Sequence, residues 1–67
     1  MSPTRYRVVV RGRLSNRLAS AFEGLTVEPG EGQTSLSGCF VDQAQLHGVL
    51  DRVRALGIEL VSVNVLC

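Results

Sequence analysis

Two hydrophobic rhythms alternate along the chain. From Arg5 to Arg13 alternate residues fall into two sets. Tyr6, Val8 and Val10 fall on one side with Gly12, and Arg5, Arg7, Val9, Arg11 and Arg13 fall on the other. Period two predicts a strand with unlike faces, and the β-branched run Val8-Val9-Val10 favours it. From Leu14 the period lengthens. Leu14, Leu18, Ala21 and Phe22 recur at helical spacing, with Ser15 as N-cap. Gly24 stands where a left-handed C′ residue ends such a helix.

The short period then returns. Leu25-Thr26-Val27-Glu28 alternates, and so does Thr34 to Phe40, with Leu36, Gly38 and Phe40 opposite Ser35, Ser37 and Cys39. Pro29-Gly30-Glu31-Gly32 between them is a turn, so the two strands form a hairpin. Asp42 caps a second helix, and Gln45 returns a hydrogen bond to the cap, as in a capping box. Leu46, Val49, Leu50, Val53 and Leu56 make one apolar stripe, and Gly57 closes the helix. Ile58 to Leu66 is the last strand. Val61, Val63 and Val65 share one face; Leu60, Ser62 and Asn64 share the other.

The order β-α-β-β-α-β predicts an α+β, ferredoxin-like sandwich. Four antiparallel strands carry both helices on one face, with right-handed crossovers and the spatial order fourth, first, third, second. Residues 1–67 form a single domain. The arginine-bearing strand is then central.

Composition adds the reason to expect company. The chain is 45% apolar, enough for a globular core. A domain this short buries only about 60% of its unfolded surface. Small domains are commonly helped by disulfides, metals or oligomerisation. Two cysteines cannot make a disulfide scaffold, so a homo-oligomer, most simply a dimer, is expected. The second and fourth strands are edges, and the fourth is apolar along its length. Net charge is +1, which argues against a polybasic nucleic-acid binder. The open sheet face carries no aromatic on which bases could stack. No apolar run approaches the roughly 20 residues that span a bilayer. Met1 to Thr4 contain no apolar leader, so the expected compartment is the cytoplasm, with Cys39 and Cys67 reduced.

Two places carry candidate chemistry. Arg5, Arg7, Arg11 and Arg13 project from one strand face at about 6.6 Å spacing. Glu28 or Glu59 on neighbouring strands could answer them, and so could an acidic protein partner or a small anionic ligand. The plain alternative is a solvated charged face. Arg11, Gly12, Arg13 and Ser15 form the turn into the first helix, where free N–H groups and two guanidiniums could hold a carboxylate or phosphate. Almost every strand-to-helix turn shares such a helix end, and one glycine makes neither a dinucleotide fingerprint nor a P-loop. His47 lacks a second ligand at metal spacing, and neither cysteine belongs to a C-x-x-C pair. No metal site, cofactor or catalytic residue is assigned. Cys39, with arginines nearby, is the one candidate reactive thiol.

The segments Tyr6 to Ser15, Ala21 to Leu25, Asp42 to Leu50 and Leu56 to Leu60 resemble a group of small uncharacterised actinobacterial proteins. That resemblance implies no activity. In element order and length the chain is also similar to ACT-type regulatory domains. These bind small ligands, often amino acids, between the first β-to-helix turn and a neighbouring subunit, and Gly12 sits at that turn here. Three readings follow. The first is a small non-enzymatic binding or accessory module that self-associates through its sheet. The second is an ACT-like ligand-sensing regulatory domain. The third is a cofactor-independent enzyme of the dimeric α+β barrel kind using His47 or Cys39, though so short a chain has little loop to build a substrate cleft.

Overall fold

The computed structural model describes residues 3–22 and 24–66. Glu23 and Cys67 lie outside the described residues. Strand β1 runs Thr4–Arg11. A short helix α1, Asn16–Ala19, passes directly into a 3-10 turn, Ser20–Phe22. Strands β2, Thr26–Pro29, and β3, Gln33–Phe40, form the hairpin. Helix α2 spans Gln43–Ala55, and β4 spans Leu60–Val65.

The four strands make one antiparallel sheet in the order β2-β3-β1-β4, which is β4-β1-β3-β2 from the other edge. The register sets the faces. Val8 stands opposite Leu36 and Val63; Arg7 stands opposite Ser37 and Asn64. Val8, Val10, Leu36 and Phe40 therefore share one face with the core residues Phe22, Leu46 and Val53 of the helical segments. Val8, Val10 and Leu36 are fully buried. Tyr6 tilts against Phe40 with ring centroids 5.6 Å apart, within the range in which aromatic pairs add to burial.

Local chemistry explains the element ends. Ser15 Oγ accepts from the Leu18 N–H, and Asp42 Oδ1 accepts from the Gln45 N–H at 2.9 Å. The Gln45 amide oxygen accepts from the Val41 N–H, one residue before the cap and not from the cap itself as in a simple capping box. At the far end of α2, Gly57 has φ +74. Its N–H donates to the Arg54 carbonyl, and the Ile58 N–H donates to the Val53 carbonyl. That pairing satisfies the helix's last carbonyls and folds Ile58 back beside Val53.

Four expectations are corrected. β1 ends at Arg11, because Gly12 at φ +83 turns the chain, so Arg13 is not part of the strand stripe. The first helix has one α-helical turn, and the Ser20 hydroxyl bonds the Arg17 carbonyl at its end. Such back-bonding competes with continued helix. Leu56 lies outside the α2 stripe and is 40% exposed. In β4, Leu60 pairs with Val10 and Ser62 with Val9, so Val61 is an extra residue. This bulge moves Leu60 from the Ser62 and Asn64 face to that of Val63 and Val65. Among the described residues no helix is long and apolar enough to cross a membrane.

Candidate functional site

The turn after β1 is tied to the hairpin. The Gly12 N–H donates to the Gly32 carbonyl at 2.8 Å, and the Thr34 hydroxyl donates to the Gly12 carbonyl at 2.7 Å. Thr34 is 1% exposed, so its hydroxyl needs that partner. Beside the turn lies a half-open cavity of about 460 Å³ with Arg13 and Asn16 at the rim and Leu14, Val27 and Pro29 in the wall.

The four proposed anion ligands do not converge there. The Arg11 guanidinium pairs with Glu59 at 2.8 Å, with both side chains largely in solvent. Both backbone groups of Gly12 are engaged, and the Ser15 oxygen caps α1. Of the four, Arg13 alone lines the cavity.

The open sheet face is mostly polar, with Val9 near its centre. Arg5, Arg7 and Arg11 project from β1 around Val9, which is 7% exposed. Its cross-strand neighbours are Ser35 and Ser62, and Ser37 opposite Arg7 is 4% exposed. Val9 lies between Arg7 and Arg11 along the strand face, and arginine side chains carry aliphatic stems able to cover an apolar neighbour. Among the described residues Arg11–Glu59 is the one ion pair, so Arg5 and Arg7 hold their charge toward solvent.

Cys39 is exposed opposite Arg5 on this face. His47 is exposed on α2, across the sheet from it. The two cannot act as a thiol–imidazole pair. No cluster of three metal-ligating side chains occurs among the described residues.

The feature that sequence periodicity underestimated is β4. Leu60 is 44% exposed, Val61 49%, Val63 37% and Val65 62%. Val10 and Val8, opposite Leu60 and Val63, are fully buried, so the helical layer covers the sheet centre and stops short of this edge. The bulge between Leu60 and Ser62 interrupts the ladder at the start of this edge. The adjacent apolar pair Leu60-Val61 was its only trace in the sequence. The opposite edge is different. β2 has four residues, among them an exposed glutamate, Glu28, and a proline, Pro29.

No curated protein and no solved structure matches the chain. Residues 5–64, from the first arginine of the open face to the last asparagine of β4, match the family model described as a domain of unknown function, DUF8691, and the chain belongs to that family.

Proposed function

We propose that this protein is a small non-enzymatic binding module that self-associates through its sheet and offers Arg5 and Arg7 to an acidic partner. The observation that supports it is surplus surface. A compact monomer of 7.2 kDa is expected to expose about 4,100 Å², and this chain exposes 4689 Å². The difference, about 600 Å², approaches the roughly 800 Å² that each partner contributes to a standard interface. Among the described residues, four of the six large apolar side chains left exposed lie in β4.

The strand order and the shared helical face suit a ferredoxin-like sandwich, and the family assignment is compatible with kinship to small actinobacterial proteins. A cytoplasmic setting suits an exposed, free Cys39. A second reading, an ACT-like ligand sensor, draws on the cavity beside Arg13 and Asn16. Its test is a melting-temperature rise with free amino acids, lost in Arg13→Ala. The enzyme reading would need a partner group for Cys39 or His47, which lie apart among the described residues.

Light scattering at tens of micromolar tests the main reading. The expected mass is twice the 7.2 kDa chain mass. Polyglutamate should bind at low salt and be released at high salt, since exposed charges are screened over about 10 Å at 0.1 M. Arg5→Glu with Arg7→Glu should abolish that binding and keep the fold. A monomer mass overturns self-association. Polyglutamate binding that ignores both salt and the double substitution overturns the arginine face.

A further inference from the structure

We infer that the self-association surface is the free edge of β4, and that its occupant is the β4 of a second copy, paired antiparallel across a two-fold axis at Val63. The inference rests on the self-associating reading above and names its partner and register.

Backbone direction comes first. The Leu66 N–H donates to the Arg5 carbonyl, and Asn64 and Ser62 pair with Arg7 and Val9 in the same phase. The even residues from Ser62 to Leu66 therefore turn their backbone groups to β1. In an antiparallel ladder the alternate residues turn the other way. The N–H and C=O of Val63 and Val65, and the C=O of Val61, consequently face outward from the sheet. Only another strand satisfies such a row in order.

The edge is also unprotected. Natural edge strands are blunted by proline, charge or shortness. β2 uses all three, with four residues, Glu28 and Pro29. β4 uses none: Leu60 to Val65 contains no charged residue and no proline. It does have a bulge, but near its beginning, which leaves Ser62 to Val65 regular.

The partner follows from symmetry and area. An antiparallel pairing of a strand with itself is two-fold symmetric, so a second copy fits without any new surface. The register that overlaps Val61 to Val65 fully with itself sets Val63 against Val63 and Val61 against Val65. Four backbone hydrogen bonds result: two between the Val63 residues, and one from each Val65 N–H to the opposite Val61 carbonyl. The exposed valines then meet as cross-strand pairs, which add to sheet stability. The two sheets join into one of eight strands. The surplus of about 600 Å² per chain relative to a compact monomer is of the size such an edge with its side chains buries.

Open-face stacking, the competing arrangement, would bury the Arg5 and Arg7 guanidiniums, neither of which has an ion-pair partner among the described residues, at a desolvation cost that edge pairing avoids. Edge pairing leaves both arginine faces free and on the same side of the joined sheet.

The test uses the full chain and two independent variants. Val63→Lys with Val65→Lys places like charges across the proposed seam, and light scattering should drop from dimer to monomer mass while far-ultraviolet circular dichroism stays native. Val63→Cys, with Cys39→Ser and Cys67→Ser, should form one inter-chain disulfide in a glutathione buffer, because hydrogen-bonded antiparallel pairs hold Cα atoms about 5.5 Å apart, within disulfide reach. A wild-type monomer overturns self-association and this inference together. A wild-type dimer that remains a dimer in the folded lysine variant overturns the β4 edge alone. If the lysine variant does not fold, the cysteine variant decides: a dimer mass without the cross-link overturns the register at Val63.

Discussion

Leu36→Ala should remove a large share of this protein's stability, and Leu50→Ala much less. Leu36 lies on β3 between Val8 of β1 and Val27 of β2, and it is fully buried. Replacing a buried leucine by alanine costs about 2–5 kcal/mol, with the larger values where the surroundings cannot collapse into the cavity. Here they cannot collapse easily, since two of the neighbours are held by the ladder. The expected cost is about 3–4 kcal/mol. Small proteins carry about 0.05–0.15 kcal/mol of stability per residue, so this chain has about 3–10 kcal/mol in all. Leu50 looks equivalent in the α2 stripe, but it is only half-buried. Its truncation should cost about 1–2 kcal/mol, because part of its surface is already in water. Urea melts followed by circular dichroism separate the two. At about 4–8 °C per kcal/mol for a domain of this size, thermal melts should separate them by ten degrees or so. Equal costs, or Leu50→Ala the worse, would refute the placement of the core centre under β3 and move it beneath α2.

Four further outcomes are expected. Gly48→Ala should raise stability by about 0.5–1 kcal/mol in the same melts, because an alanine Cβ in this exposed helical position meets nothing within 4 Å. Gly12→Ala should lower it by about 1–2 kcal/mol although the space there is equally open, since the whole cost lies in holding φ +83 with a side chain. Asp42→Ala should cost about 1 kcal/mol through the lost bond to the Gln45 N–H, and an unchanged melt would mean α2 does not depend on this cap. Glu59→Gln should change the melting midpoint by less than about 0.5 kcal/mol equivalent at any salt concentration, because both members of its pair with Arg11 stand largely in solvent.

Most of the architecture was legible because it depends on period and punctuation. The period of two along Tyr6 to Val10 and Thr34 to Phe40 puts half of each strand in one layer whatever surrounds it, and the register has Val8 opposite Leu36 as that parity requires. Asp42, Gly57 and Ser15 act through bonds to residues within five positions, so the sequence alone locates them. The pairing of Glu59 with Arg11 was foreseeable as one of two acids next to a central arginine strand.

Other features had little or no local signal. The β4 bulge exists only relative to β1, since an extra residue is extra only against a partner strand. The exit of Arg13 from the arginine stripe depends on Gly12 being held by Gly32 and Thr34, both about twenty residues away in the chain. The exposure of Leu60, Val61, Val63 and Val65 depends on how far α2 reaches across the sheet. A sequence states which residues are apolar and in what rhythm. Which of those apolar residues the one available helical layer can cover is a matter of area and placement, and that was decided only when the layers came together.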